Sequence, residues 1–374
     1  MVDEEFQWRA GRIRQAMAEA GLDALLCFGP GWRTEHVRYL VGSPLRGSFT
    51  AVYLPAVGPP TAFVCRSEDG RAIRQWGWVS DVRPLTFPKA EALVERLQEG
   101  GAPERLGVAH FELMPELLAE LLQRHFPRTE LISASRLMDR VRMAKSPWEL
   151  EQMRRAAELA DAGWRAFLEA VRPGRREYEL IAAVEAELKR LGAVDNFMLI
   201  ASGKGDIMGM TPPADRRLEP GDMVRTELTP AVNGYYTQIC RTVVLGPPTD
   251  EQRRSHAIFR EALEAGLERV RAGVTAHEIA RAENDVFRKY DYGEYCTSQY
   301  TRVRGHGLGL HPDDVPMIVE GNETVLDENT VIVVHPNTYT PLAGYHVLGD
   351  PVVVTKDGYE RLLRTERELF SVAL

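Results

Sequence analysis

The sequence predicts two domains of different class: an α/β domain over residues 1–144 and an α+β domain over residues 145–374, in which helices cover an antiparallel sheet. Three observations lead to this prediction. Helix and strand signals alternate through the first 140 or so residues. Long helical stretches then come in pairs, separated by strands rather than by repeated βαβ units. Between the pairs, Asn233-Gly234 lies between two apolar, β-branched runs and predicts a type I′ hairpin over Val224–Leu245.

The first domain begins with a helix over Phe6–Ala20, where apolar residues recur at helical spacing and Gly21 is a suitable C-cap. Ala24–Phe28 then has the continuous apolar character of a buried strand. Two more strands are predicted at Ser48–Leu54 and Thr61–Cys65. The remaining predicted elements are three helices and one short strand: Ser67–Gly77, Ala90–Gln98, Pro115–His125 and Leu106–Ala109.

The domain boundary is predicted at Ala144-Lys145-Ser146-Pro147. Ser146 can cap a helix, proline suits the first helical turn, and Glu149 lies where the helix dipole favours an acid. This helix should continue to about Val171. Three more helices are predicted in the second domain: Glu177–Leu191, Asp250–Ala272 and Thr275–Lys289.

The composition excludes several classes of protein. Of the 374 residues, 44% are hydrophobic and 27% are charged, which is typical of a soluble globular protein. The formal net charge of −8 argues against nucleic acid as a partner. No secretory signal and no apolar run of about 20 residues is present, so we expect a cytoplasmic protein without a membrane partner. The four cysteines lack CxxC spacing and are expected to be reduced thiols.

Four motifs in the second half carry a family resemblance. They are LEPGDMV at Leu218–Val224, NGYYTQICRT at Asn233–Thr242, GHGLGL at Gly305–Leu310 and VVVTKDGYERL at Val352–Leu362. Together they resemble the "pita-bread" M24 family of methionine aminopeptidase, aminopeptidase P, prolidase and creatinase. The preceding α/β domain resembles that of creatinase and prolidase. The resemblance covers essentially the whole chain and implies a pita-bread fold for the second domain, and a homodimer.

The metal ligands of that family are mostly replaced in this chain. In the metal-dependent members, two Asp, one His and two Glu hold two divalent ions. The resemblance places Glu227 and Gln238 at the Asp positions, His306 at the His, His335 at the first Glu and Gly349, or its neighbour, at the last. Because Gln and Gly cannot bridge two cations as carboxylates do, we expect no dinuclear centre. A single divalent ion on Glu227, His306 and His335 remains an alternative to a site without metal.

One carboxylate and two imidazoles form a sound acid/base set, so Glu227, His306 and His335 are predicted to be catalytic. The resemblance to creatinase adds Tyr236 as a donor to the developing oxyanion. The segment from Thr229 to Thr242 is closest in pattern to creatinase, although Met210 stands where creatinase has its catalytic His. Predicted substrate contacts are Gln238, His346, Asp313, Arg304 as a carboxylate clamp, and Arg46 and Phe49 by resemblance to creatinase, whose first domain reaches the substrate across the dimer.

The sequence therefore predicts a hydrolase that cleaves a C–N bond in a small polar amidine, amide or cyclic amino-acid derivative. We expect it to be creatinase-like and to lack the dinuclear metal site. Three alternatives stay open: a Xaa-Pro-type aminopeptidase with a rebuilt mononuclear metal site, a non-catalytic peptide-binding protein, and a lyase. No cofactor is expected, apart from the single divalent ion of the first alternative.

Overall fold

The computed structural model describes residues 2–47, 49–205 and 207–374. Backbone contacts divide the chain into two compact units, Met1–Arg142 and Met143–Leu374. The assignment of domains to residues 1–144 and 145–374 stays a prediction. Ser48, the first residue of one predicted strand, lies outside the described residues.

The first unit is built on a mixed sheet of six strands. Its strands are β1 Ala24–Pro30, β2 Phe49–Pro55, β3 Thr61–Val64, β4 Asp81–Pro84, β5 Arg105–Ala109 and β6 Glu130–Ser133. Its helices are α1 Val2–Glu19, α2 Glu35–Val41, α3 Ser67–Trp76, α4 Glu91–Glu99, α5 Glu116–His125 and α6 Ser135–Met143, with a short 3-10 turn at Phe111–Leu113. The order across the sheet is β4-β3-β2-β1-β5-β6.

The predicted α/β class of the first unit is confirmed. Strand β1 pairs in parallel with β5 and antiparallel with β2, and β5 pairs in parallel with β6. Every residue of β1 is buried, as expected for a central strand covered on both faces. Phe28, Phe63 and Val108 lie in the apolar core that the helices cover.

The second unit holds four helices and twelve strands among its described residues. The helices are α7 Pro147–Ala170, α8 Glu177–Arg190, α9 Asp250–Leu267 and α10 Ala276–Lys289, with a 3-10 turn at Gly293–Cys296. The strands are β7 Asp195–Gly203, β8 Met223–Val232, β9 Tyr235–Tyr236, β10 Ile239–Leu245, β11 Gly305–Gly307, β12 Asp314–Met317, β13 Val331–Val334, β14 Thr338–Thr340, β15 Gly344–His346, β16 Asp350–Val354, β17 Tyr359–Arg361 and β18 Phe370–Val372.

These strands form three sheets: β18-β10-β8-β7 with β9 beside β8, β12-β11-β13-β16-β17, and the ribbon β14-β15. The predicted α+β class of the second unit is confirmed, and its antiparallel sheet gains one parallel pairing at an edge, where β18 pairs with β10. Phe370 of β18 packs edge-to-face on the buried Trp164 of α7, with ring centroids 5.2 Å apart. This aromatic contact packs the last strand of the chain against α7.

The predicted hairpin is confirmed. Asn233 and Gly234 have φ of 49° and 85°, so both central residues of the turn have the positive φ that a type I′ turn requires. Glu227 of β8 lies directly opposite Cys240 of β10. Because side chains alternate along a strand, Gln238 points from the same face as Cys240, one diagonal away from Glu227.

Helix α9 ends at Leu267, five residues before the predicted end at Ala272. The backbone N–H of Ala272 donates instead to Thr355, and that of Gly273 donates to Leu326. Hydrogen bonds to distant segments therefore replace the last helical turn, and local apolar spacing carries no information about such partners.

Thr275 caps α10, and its replacement gives a test of local stability. Its side chain accepts from the backbone N–H of Glu278, whose carboxylate accepts in return from the N–H of Thr275. We expect Thr275→Ala to lower the free energy of unfolding by about 1 kcal/mol in urea titrations. Thr275→Asp keeps an acceptor at the cap and should lose less. Equal losses in the two variants would contradict a capping role.

Candidate functional site

Glu227 is a buried carboxyl group in the middle of β8, with 9% of its surface exposed. Its Oε1 accepts from Asn337 Nδ2 at 2.7 Å and faces the Cys240 thiol at 3.7 Å. Gln238 Nε2 lies 3.5 Å from the same sulfur. Burial raises the pKa of Glu227 to about 7, because the two hydrogen bonds to Oε1 only partly offset the loss of water. Both protonation states of this carboxyl are therefore populated at neutral pH.

His306 and His335 form a second group, on adjacent strands of the β11–β13 sheet. His306 lies on β11 opposite Val333, and His335 directly follows β13. Their rings meet edge-to-face with centroids 5.4 Å apart. His306 Nδ1 lies 2.9 Å from the carbonyl oxygen of Gly307, which can only accept, so Nδ1 carries the hydrogen and Nε2 keeps a lone pair.

Both imidazoles are neutral at neutral pH. Burial lowers the pKa of His306, and it lowers the pKa of His335 well below its ordinary value with a further contribution from His306. His335 Nδ1 is buried and has no hydrogen-bond partner among the described residues. This nitrogen is one of several buried polar atoms without a partner among the described residues, and it is the one that adjoins His306.

Asn337 connects these two groups, and it was not among the residues predicted from the sequence. Its Oδ1 accepts from the backbone N–H of Leu348 at 3.0 Å, which fixes the orientation of the amide. Nδ2 is then directed to Glu227 Oε1. Asn337 is 2% exposed and follows His335 by two residues. Its hydrogen bond to Glu227 therefore connects the segment after β13 to β8. The only sequence signal was a polar residue after His-Pro at the end of an apolar strand.

Asp313, which the sequence predicts as a substrate contact, lies at the edge of the histidine pair. Its Oδ1 is 3.6 Å from His306 Nδ1, and its Oδ2 is 2.7 Å from Arg302. Both of these side chains are more than one-third exposed. Asp313 and Arg302 therefore form an accessible ion pair beside the buried imidazoles.

Three predicted contacts lie elsewhere. The hydroxyl of Tyr236 donates to Asp195 Oδ2 at 2.6 Å, so its hydrogen points to the carboxylate of a β7 residue. The buried guanidinium of Arg304 donates through Nε to Asn284 and through Nη1 to the carbonyl of Pro336, and its Nη2 has no partner among the described residues. His346 is 0% exposed, and its Nε2 lies 3.1 Å from His256. Their roles toward a substrate stay predictions.

Arg46 and Phe49 belong to the first unit, whereas the groups around Glu227 and His306 belong to the second. The Phe49 ring packs against Phe28 at a centroid distance of 5.5 Å. The backbone N–H of Arg46 donates to Asp69 at 2.9 Å. Their predicted role across a dimer stays a prediction.

The side chains do not fit the metal pair that the family resemblance implies. In the described ranges, no three His, Cys, Asp or Glu side chains lie close enough together to hold an ion, so the mononuclear set of Glu227, His306 and His335 is not assembled either. The Oε1 of Glu227 receives N–H and S–H donors, so this oxygen is not available to bridge two cations together with Oε2. A Cβ on Gly349 would lie 2.6 Å from the Cβ of His335 and 2.8 Å from a carbonyl oxygen, so a carboxylate side chain has no room at position 349.

Asp350, next to Gly349, is held by arginines. Arg241 donates to its Oδ1 at 2.7 Å, and Arg361 and Arg367 donate to its Oδ2 at 2.7 and 2.6 Å. Burial alone would raise the pKa of Asp350, but the three guanidinium groups outweigh it and hold the pKa below its usual value. The same Arg241 donates to the carbonyls of Cys240 and Gly349, which links the β8–β10 sheet to β16.

The raised pKa of Glu227 predicts a pH-dependent stability. Folding favours the protonated form, so this contribution is complete below the unfolded pKa near 4.5 and is lost as pH rises through about 7. Glu227→Gln cannot ionise. We expect it to gain about 3 kcal/mol relative to the unsubstituted protein between pH 4.5 and pH 8, measured by urea unfolding.

The control for this measurement is Glu158→Gln, which removes an exposed carboxyl group paired with Arg364 instead of a buried one. Parallel stability curves for the unsubstituted protein and Glu227→Gln would show that Glu227 does not titrate in this range.

Two family models match the chain. The model described as metallopeptidase family M24 matches residues 151–356, and the creatinase/prolidase N-terminal domain matches residues 9–144. Helices long and apolar enough to cross a bilayer are not found among the residues described.

Curated relatives and solved structures agree with these matches. A Xaa-Pro dipeptidase of Pyrococcus furiosus is 36% identical over 61% of this chain, and the alignment spans 65% of that protein. A Xaa-Pro dipeptidase of Pyrococcus horikoshii is 29% identical over 96% of this chain and 97% of its own length. The crystal structure of dipeptidase PepE from Mycobacterium ulcerans superposes with a TM-score of 0.85 at 27% identity, covering 100% of both chains.

Proposed function

The chain belongs to metallopeptidase family M24 and is a hydrolase of C–N bonds, and from this membership we propose that it cleaves small dipeptide-like amides, with Xaa-Pro dipeptides as the first candidates. The expectation of a creatinase-like amidine hydrolase is not supported, because the curated relatives named above are Xaa-Pro dipeptidases. They favour the peptidase alternative. The mononuclear metal site attached to that alternative has no support from the donor set described above.

The observation that carries the proposal is the presence in the second unit of a nitrogen with a free lone pair, on His306, and of a carboxyl with a pKa near neutrality, on Glu227. His306 Nε2 is neutral and basic because its Nδ1 donates to the Gly307 carbonyl. Glu227 has a pKa of about 7 and so supplies a proton at neutral pH. Amide hydrolysis requires a base that is unprotonated at the working pH and an acid whose pKa lies near or above that pH.

The proposed reaction uses these two groups in one sequence. His306 Nε2 takes a proton from water as the water oxygen bonds to the amide carbon. Glu227 then gives its proton to the amide nitrogen as the C–N bond breaks, so the products are a carboxylic acid and an amine. Before the next turnover, His306 releases to solvent the proton it took, and Glu227 takes one up from solvent. His335 lies in ring contact with His306, where its unsatisfied Nδ1 can hold the water or the substrate.

The cofactor requirement, the oligomeric state and the cellular location of the protein are also proposals. Divalent ions are the usual cofactors of the family, and we propose that this chain acts without a metal pair because Gln238 and Gly349 cannot supply bridging carboxylates. A homodimer and a cytoplasmic location stay predictions from the sequence.

The test is an assay of amine release from Xaa-Pro dipeptides, matched Xaa-Ala dipeptides and creatine, with protein purified in the presence of a chelator. We expect dipeptide hydrolysis that neither EDTA nor added Mn²⁺ changes by more than about threefold. The kcat/KM profile should fall as pH rises through about 7, where Glu227 loses its proton. Activity only with added metal would overturn the metal-free reaction, and cleavage of creatine alone would overturn the substrate class.

A further inference from the structure

Two donors converge on a single oxygen of Glu227. Asn337 Nδ2 donates to Oε1 at 2.7 Å, and Cys240 Sγ lies 3.7 Å from the same atom. Oε2 receives no hydrogen bond from the residues described, although 9% of the Glu227 side chain is still exposed. The two oxygens of this carboxyl therefore have different surroundings.

The direction of each donor is fixed by a second partner. The backbone N–H of Leu348 needs an acceptor, so it fixes Asn337 Oδ1 and leaves Nδ2 for Glu227. Gln238 Nε2 lies 3.5 Å from Cys240 Sγ and supplies hydrogen to that sulfur, so the thiol hydrogen is free to point to Glu227. Because an oxygen that accepts two hydrogens is a poor place for a third, the proton of the neutral carboxyl belongs on Oε2.

We propose that Asn337 is a positioning residue, which holds Glu227 by Oε1 so that Oε2 carries the proton given to the leaving amine. This inference rests on the proposed function. The hydrogen bonds from Gln238 to Cys240, from Cys240 to Glu227 and from Asn337 to Glu227 join positions 227 and 238, where the family resemblance places metal ligands. In this chain hydrogen-bond donors orient the carboxyl of Glu227, whereas in a metal centre the cation would orient it.

The other titratable and charged groups near Glu227 do not duplicate this role. From the edge of the site, the charge of Asp313 raises the pKa of Glu227 and the charge of Arg302 lowers it. Burial raises the pKa of Tyr345 on β15, and the charge of Glu227 raises it further. Among the hydrogen bonds to Glu227, the contact from Asn337 is the shorter one, at 2.7 Å. Asn337 is therefore the residue whose replacement should change the position of the proton.

The test variant is Asn337→Asp, which keeps the shape and the acceptor for Leu348 N–H but replaces the amide donor by a carboxylate oxygen. That oxygen can only accept, so the proton of Glu227 should move to Oε1. We expect kcat to fall about 10- to 100-fold with KM changed less than threefold. The alkaline limb of the pH profile should move to higher pH, because a neighbouring carboxylate holds the proton more strongly.

The chain offers a matched control in Asn196. Its Nδ2 donates to Glu185 at 2.7 Å and its Oδ1 accepts from the backbone N–H of Thr229 at 3.0 Å, which reproduces the pattern of Asn337 away from Glu227. Asn196→Asp should leave the alkaline limb where it is in the unsubstituted protein. A fall in kcat for Asn337→Asp with an unmoved limb, or an equal shift in both variants, would overturn the proposal.

A second measurement needs no substrate. In protein labelled with ¹⁵N-asparagine, the side-chain amide signal of Asn337 is identified by its absence in Asn337→Asp. We expect this signal to change with pH in step with Glu227 and to lose that dependence in Glu227→Gln. If the signal does not change with pH, Asn337 does not contact Glu227 and the proposal is wrong. If the contact is present but no dipeptide is cleaved, the proposed function fails, and with it the catalytic role of Asn337, whereas its hold on Glu227 stands.

Discussion

Replacing His306 by alanine is expected to lower kcat/KM for a dipeptide substrate by about 10²- to 10⁴-fold. The substitution removes the nitrogen lone pair that takes the proton from water, and no described neighbour offers an equivalent one. The ring of His335 contacts that of His306, but burial and the adjacent imidazole lower the pKa of His335 well below its ordinary value. Steady-state kinetics at pH 6.5, with the fold checked by circular dichroism, measure the effect.

His277 gives the control for this prediction. It lies on α10, and its Nδ1 accepts from the backbone N–H of Gly321 at 2.8 Å. His277→Ala should change kcat/KM by less than about threefold. If His306→Ala keeps more than one-tenth of the activity, the base is another residue, and His335 becomes the first to test.

Replacing Asp350 by asparagine is expected to lower the free energy of unfolding by about 3–5 kcal/mol. The asparagine keeps the size of the side chain but removes the charge that compensates Arg241, and both groups are 0% exposed. Arg361 and Arg367 lose the same partner. Urea unfolding measures the loss as a lower midpoint at constant slope.

An exposed ion pair provides the comparison. Arg154 donates to both carboxylate oxygens of Glu360 at 2.9 and 2.8 Å, with more than 40% of each side chain exposed. Glu360→Gln should cost no more than about 1 kcal/mol, because solvent screens such pairs. Similar losses at Asp350 and Glu360 would mean that burial does not strengthen the arginine cluster.

Local sequence patterns predicted the elements of this fold well. The Asn-Gly turn, the capping residue Ser146 of α7 and the apolar strands all depend on neighbours within a few positions, and all are confirmed. The errors arose where distant segments intervene. Helix α9 ends early because Ala272 donates to Thr355, and β18 pairs in parallel with β10.

The site was only partly predictable for the same reason. The residue types of Glu227, His306 and His335 suggested acid/base chemistry. The contact between Asn337 and Glu227 spans 110 positions, and no local pattern indicates it. Tyr236, Arg304 and His346 were assigned roles from motif position, but their polar atoms are directed to Asp195, Pro336 and His256.

The close approach of His335 and Gly349 restricts which side chains position 349 can carry. Any side chain introduced at position 349 would collide with the Cβ of His335 and with the carbonyl oxygen of Val334, and replacing His335 by glutamate keeps both of these atoms. A carboxylate at position 349 therefore requires the backbone at positions 335 and 349 to move apart, which an exchange of side chains alone does not provide.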